Sequence, residues 1–168
     1  MNMHCYDTFE GPQGRMLLLA NDEGIAGVFF SRQKHHPKRR ADWKKDPHHR
    51  VLRQAKRELA EYFAGRRKRF AVALSPKGTS FQRSVWKAIA TVGFGETITY
   101  GELARRAGHP GSARAAGAAT GRNPLGIIVP CHRITGADGS LTGYAGGLQR
   151  KRALLALEGV ARDLPSAA

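Results

Sequence analysis

Apolar and polar positions follow two different periods along this chain, and the change from one to the other divides it. Arg15-Met16-Leu17-Leu18-Leu19-Ala20 and Ile25-Ala26-Gly27-Val28-Phe29-Phe30 are short apolar runs separated by Asn21-Asp22-Glu23-Gly24, a hairpin-type turn. Gly11-Pro12-Gln13-Gly14 is another turn, so the first thirty residues read as strands. Residues 31–46 are polar, basic and aperiodic, which predicts a loop. The spacing then becomes helical: Val51, Leu52, Ala55, Leu59, Tyr62 and Phe63 share one face. Asp46-Pro47 offers an N-cap with proline at the first helical position, and Gly65 offers a stop. Phe70 to Leu74 fits one more short strand, and Ser75-Pro76-Lys77-Gly78 a linker between two domains.

Beyond that linker the pattern is mainly helical. Thr79-x-x-Gln82 is a capping-box signature, followed by the stripe Phe81, Val85, Trp86 and Ile89, with Gly93-Phe94-Gly95 as terminator. Thr99-x-x-Glu102 opens a second, short helix that Gly108 closes. Pro110-Gly111-Ser112 restarts the chain into Ala113–Thr120, and Leu148–Leu157 forms a last helix. Helices over 99–107 and 112–120, joined by a Gly/Pro turn, fit a helix-turn-helix. The second of them, Ala113-Arg114-Ala115-Ala116-Gly117-Ala118-Ala119, is almost all small side chains. Such a helix suits either tight packing against another helix or close approach to DNA, and Arg114 favours the second.

Charge sharpens this picture. The 168 residues carry 28 Lys+Arg against 13 Asp+Glu, a formal charge of +15. That surplus favours a polyanionic partner, most simply nucleic acid. Residues 31–70 alone hold fifteen basic and four acidic residues, either a solvated face or a binding surface. Two cysteines make no disulfide framework, no stretch approaches a membrane span, and the N-terminus lacks a signal-peptide core. A soluble, cytoplasmic protein in a reducing compartment is expected, associated with the nucleoid, or nuclear in a eukaryote. His35-His36 and His48-His49 lack the spacing of a metal site, and Cys5 with His4 has no second ligand pair, so no metal and no cofactor is expected.

The most informative tetrapeptide is Pro130-Cys131-His132-Arg133, reached through the apolar run Leu125-Gly126-Ile127-Ile128-Val129. It sets a thiol beside an imidazole, a pairing suited to forming a nucleophilic thiolate. Read with Phe81-Gln82-x-x-Val85-Trp86, Gly95-x-x-x-x-Tyr100-Gly101, Ala113-Arg114-Ala115-x-Gly117, Asn123-Pro124, Gly143-Tyr144-x-Gly146-Gly147, Lys151, Leu154-Leu155 and Glu158, it resembles the O6-alkylguanine-DNA alkyltransferases. The specific resemblance covers residues 79–159. Gly93, where many relatives have proline, and Ala116, where valine is more usual, depart from the pattern and bear on packing.

The resemblance implies an α+β fold. A small N-terminal β-sheet with a helix, RNase H-like, would occupy 1–75. A mainly helical domain with the helix-turn-helix would occupy 79–160, with a tail at 161–168. It implies that Cys131 takes an alkyl group from O6-alkylguanine, and from O4-alkylthymine, in duplex DNA in a single turnover. His132 would act as base through a water, oriented by Glu158, with Asn123 supporting the turn. Tyr100 would give the guanine a proton, and Lys151 would support that phenol. Arg114 would replace the extruded nucleotide, with Ala115 and the small residues around it entering the minor groove. Arg133, the Ile134 carbonyl, Tyr144, Ala145 and Gly146 would complete the DNA and base contacts, and the protein would act as a monomer. The alternatives are a lesion sensor lacking the reaction, a sequence-reading helix-turn-helix regulator and a cysteine hydrolase. Cys131 argues against the first, the alanine-rich helix against the second, and the missing separate histidine and oxyanion hole against the third.

Overall fold

The computed structural model describes residues 3–160, and the tail expected at 161–168 lies outside them. The chain is α+β and divides into two compact units. One comprises residues through Lys77 together with 124–128, and the other comprises 78–123 and the residues from Val129 onward. The division is therefore not contiguous in sequence.

In the first unit, β1 (Cys5–Gly11), β2 (Gly14–Asn21) and β3 (Gly24–Phe30) form an antiparallel meander. The two-residue β4 (Lys44–Lys45) adds in parallel beside β1, giving the order β3-β2-β1-β4. The β2–β3 turn is fixed by Asn21, whose Oδ1 accepts the Glu23 and Gly24 amides at 2.8 and 3.1 Å. Gly24 is required there: a Cβ would lie 2.5 Å from the Ala73 carbonyl oxygen, which accepts the Ile25 amide. Helix α1 (Arg50–Phe63) packs on β1, β2 and β3 through Val51, Leu52, Ala55, Leu59 and Tyr62.

Three local expectations shift. Helix α1 starts at Arg50, capped by His49, whose Nδ1 accepts the Val51 amide. Asp46 instead continues the sheet edge, its amide donating to the Tyr6 carbonyl and its carboxylate accepting from the His48 amide. The basic 31–46 stretch contains β4. Phe70–Leu74 forms no strand beyond a single bridge between Leu74 and Ile25. The Ala71 and Val72 amides that a ladder would use go to Glu58 Oε1, at 2.8 and 3.1 Å. Glu58 is fully buried on the apolar face of α1, and its other oxygen accepts from Gln54.

The second unit begins with α2 (Ser80–Ile89), closed by the expected Thr79/Gln82 capping box. Helices α3 (Tyr100–Arg106) and α4 (Ala113–Gly121) pack against each other and against α2. Only half of the second capping signature forms. Thr99 accepts the Glu102 amide, while the Glu102 carboxylate turns to Arg105 and Arg106. Trp86 Nε1 donates to the Ala119 carbonyl at 2.8 Å, locking α2 to α4. Helix α4 buries Ala116, Ala119 and Thr120 and exposes Arg114, Ala115 and Ala118, so its small residues serve one packed face and one open face. A two-stranded parallel pair, β5 (Ile98–Thr99) with β6 (Ile134–Thr135), sets the start of α3 beside the Cys131 segment. Helix α5 (Leu148–Leu157) ends the unit.

Glu58→Ala strands the buried Val72 amide and removes the acceptor of two part-buried donors, Ala71 and Gln54, and is expected to cost about 3 kcal/mol, the upper end for a buried group left unpaired. Urea denaturation followed by circular dichroism measures it. A loss below about 1 kcal/mol, the worth of one ordinary hydrogen bond, rejects the pinning role.

Candidate active site

Residues 124–128 belong to the first unit, where the Val28 amide donates to the Pro124 carbonyl and the Gly126 amide donates back to Val28. Ile127 adopts φ +69°, an unfavourable conformation for a β-branched residue. Asn123 and Val129 flank this excursion, and Asn123 Nδ2 donates to the Val129 carbonyl at 2.9 Å, drawing its ends together. The chain then enters a 3-10 turn, Cys131–Arg133, with the Cys131 amide on the Val129 carbonyl.

Cys131 is buried. Burial pushes its thiol up, while an Asn123 side-chain hydrogen bond and the Lys151 charge oppose that. The sulfur is therefore a thiol at rest and needs a base.

His132 is fully buried, and its Nε2 lies 2.7 Å from Glu158 Oε2. Burial lowers its pKa below the ordinary histidine value, against the raising effect of Glu158, so the resting ring is neutral. A neutral imidazole can bond a carboxylate only as a donor, which places the proton on Nε2 and the lone pair on Nδ1. Nδ1 is buried and has no hydrogen-bond partner among the described residues. The proton-accepting atom of this histidine is thus uncommitted.

Glu158 is shared with the next residue. Arg133 Nε donates to Oε1 at 2.8 Å, Nη2 to Oε2 at 3.0 Å, and Nη1 to the Val92 carbonyl at 2.7 Å. The Gly95 amide adds a longer contact to Oε1 at 3.3 Å. Arg133 was expected among the DNA contacts. It is instead 5% exposed, and its guanidinium is spent on Glu158 and the main chain, which corrects that expectation. The signal was available: an arginine flanked by Cys-His and Ile-Thr in an apolar stretch needs a buried anion.

Lys151 also departs from expectation. Its Nζ donates to the carbonyls of Ile134 at 2.6 Å, Thr142 at 2.8 Å and Gly143 at 3.4 Å. Its donors are consumed, so it holds the two ends of the 134–143 loop and reaches Tyr100 by no hydrogen bond. The Ile134 carbonyl, expected to face a base, already carries the Lys151 ammonium on one lone pair. Burial lowers Lys151 to about 8. Lys151 and Glu158 both occupy the stripe of α5 that carries Leu154 and Leu155, spaced i, i+3, i+4, i+7. Charges on a buried stripe were the readable sign of their pairing.

Tyr100, the first residue of α3, is half-buried, and its phenol is hydrogen-bonded to the Thr142 side chain. Burial raises its pKa, so it stays protonated near neutrality. Tyr144, Ala145 and Gly146 are partly exposed in the loop before α5, with Gly147 at φ +94° closing it onto the Tyr144 carbonyl. Arg114 and Ala115 project from the open face of α4. The described residues contain no cluster of His, Cys, Asp or Glu able to hold a metal ion.

Residues 80–160 match the 6-O-methylguanine DNA methyltransferase DNA-binding domain, and residues 4–76 match the ribonuclease-like domain of the same proteins. The chain belongs to this family. A methylated-DNA–protein-cysteine methyltransferase of Methanosarcina acetivorans is 48% identical over 154 residues, covering 92% of this chain and 97% of the relative. One from Mycolicibacterium paratuberculosis is 45% identical, with 91% of each chain covered. Among solved structures, the Mycobacterium tuberculosis protein in complex with DNA superimposes with a TM-score of 0.85 at 44% identity, covering 96% of both chains. The methyltransferase fold and this family's two-part organisation are therefore those of the present chain.

Two outcomes follow. Arg133→Leu leaves Glu158 buried without its cation and is expected to lose about 3–5 kcal/mol of stability. A urea midpoint like that of the parent would return Arg133 to the surface. Lys151 has a folded pKa near 8 against an ordinary 10.5, so its burial penalty is full below pH 8 and gone above 10.5. Relative to Lys151→Met, the parent should gain stability between those pH values, by at most about 3 kcal/mol. A flat difference across that window rejects a charged, buried Lys151.

Proposed function

We propose that the chain repairs DNA directly, moving the alkyl group of O6-alkylguanine, and of O4-alkylthymine, onto Cys131. The observation that carries this is the buried thiol followed in sequence by an imidazole whose proton-accepting Nδ1 is uncommitted. A water between Nδ1 and Sγ relays the thiol proton to His132, and Glu158 stabilises the imidazolium while Arg133 holds Glu158 in place. The thiolate attacks the alkyl carbon, the carbon–O6 bond breaks, and its electron pair leaves on the guanine. Tyr100 supplies the guanine with a proton and is reprotonated, through solvent, by the proton that His132 took from the thiol, so the net transfer is alkyl to sulfur and proton to base.

A stacked base cannot reach a buried sulfur, so the nucleotide turns out of the duplex at a cost of a few kcal/mol. Arg114 fills the vacated stack, and Ala115 and Ala118 allow α4 to lie in the minor groove. The DNA complex of the Mycobacterium tuberculosis relative supports DNA as the partner. Tyr144, Ala145 and Gly146 border the alkyl group, in a loop that Lys151 pins at its base. The protein acts as a monomer, in the cytoplasm with the nucleoid. The thioether is chemically stable, and among the described residues no second group stands ready to remove it, so each molecule reacts once.

Incubation with a duplex containing O6-methylguanine should add one methyl group to the intact mass, and Cys131→Ser should abolish the gain. More methyl groups removed than protein molecules present would defeat the single-turnover reading. Arg114→Ala should slow repair of duplex DNA while sparing reaction with free O6-benzylguanine; equal losses would reject intercalation. Because burial lowers the His132 pKa, the neutral base survives to lower pH than an ordinary histidine. The rate with free O6-benzylguanine should hold through pH 6.5 and decline only in more acid solution. A decline centred above that value would contradict a desolvated base.

A further inference from the structure

The ribonuclease-like unit has a cavity of about 230 Å³ over the outer part of its sheet. Its floor is Tyr6, Leu17 and Trp43; Tyr6 and Trp43 are buried in one apolar cluster with Leu19. Thr8 and Ser31 bring hydroxyls to the wall, and Arg39 stands over the Tyr6 ring, 4.8 Å from its centre. Among the described residues Arg39 forms no ion pair. Arg15, also on the wall, is paired with Glu10. None of this belongs to the Cys131 chemistry.

The loop that roofs the cavity is strongly basic. Residues 31–45 hold seven Lys or Arg and one acid, Asp42, which Arg40 already neutralises at 3.0 Å. Two of its non-glycine residues, Arg32 and His35, adopt φ +63° and +61°. Such conformations cost on the order of 1 kcal/mol each and persist where surroundings impose them. A small aromatic cavity with hydroxyls on its wall suits one flat heterocycle. It lies below the roughly 300 Å³ at which drug-sized ligand pockets begin. Arg39, which rests on the Tyr6 ring and has no carboxylate partner among the described residues, can turn to a phosphate, and the number of further cations exceeds what a single phosphate would require.

We infer that this cavity is a second nucleic-acid contact, taking one unpaired base of a DNA strand against Trp43 and the Tyr6 ring face that Arg39 vacates, with its phosphates on Arg39 and the 31–45 loop. Stacking on aromatic side chains beside a cationic track is how strands are held without sequence preference. Bases inside an intact duplex are stacked away, so the site selects single-stranded or frayed DNA. The inference rests on this chain's being a DNA-binding protein but not on its transfer reaction, and methyl transfer to Cys131 on the same preparation tests that reaction separately.

The test uses the full chain and an oligothymidylate carrying 5-iodouracil, irradiated and mapped by peptide mass spectrometry. Adducts are expected on Tyr6 or Trp43. Arg39→Glu, with circular dichroism and urea midpoint matching the parent, should weaken oligothymidylate binding about tenfold and flatten its salt dependence. Arg39→Lys should restore most of both. Adducts confined to residues 79–160, or an affinity that Arg39→Glu changes by less than about twofold, would overturn the inference. So would thymidine monophosphate suppressing the adducts as well as the oligonucleotide does, since the cavity would then be a mononucleotide site.

Discussion

A carboxylate without access to water must be neutralised where it lies, and Glu158 meets that demand with two consecutive residues. Arg133 supplies the charge through paired N–H groups, and His132 supplies a neutral donor. Because the arginine satisfies the charge, the imidazole is free to remain neutral, which is what a base must be before it acts. Without Arg133, the carboxylate would pull a proton onto His132 and remove its capacity to accept another. The Pro-Cys-His-Arg order therefore has an electrostatic logic: thiol, imidazole, and the cation that keeps the imidazole uncharged.

The same residues are placed by main-chain constraints. Asn123 draws the two ends of the 124–128 excursion together, β5 pairs with β6, and Lys151 ties Ile134 to Thr142 and Gly143. The β5–β6 pair joins segments far apart in sequence, and the other two ties close local loops beside one short turn. The result is a buried thiol in a turn held on both sides by hydrogen bonds to backbone carbonyls. Its position then depends little on the mobility of exposed side chains.

Much of this was legible in the residues. Helix α2, with its capping box and apolar stripe, falls where periodicity puts it, and α5 does so without a side-chain cap, because burial of an apolar face decides their existence. The hairpin turn at Asn21–Gly24 was readable for the same reason. What escaped were interactions between distant polar groups. Glu58 sits on the buried face of α1, yet no local pattern says that its partners are amides at 71 and 72, so Phe70–Leu74 was read as a strand. Arg133 reads as a DNA contact and Lys151 as support for the Tyr100 phenol, because a charge's environment is set by what the fold brings to it. Cys131, His132 and Glu158 were recognisable through family resemblance; the distances that make them one unit came only with the fold.

The carboxylate that completes this centre stands 27 positions downstream of the thiol, at the end of α5. During synthesis the cysteine emerges from the ribosome well before its activating partner. The nascent polypeptide thus carries an ordinary, solvated sulfhydryl, without its histidine–carboxylate pair, until α5 folds back. Shelter from stray electrophiles and the carboxylate that serves the histidine therefore arrive together, when that helix docks.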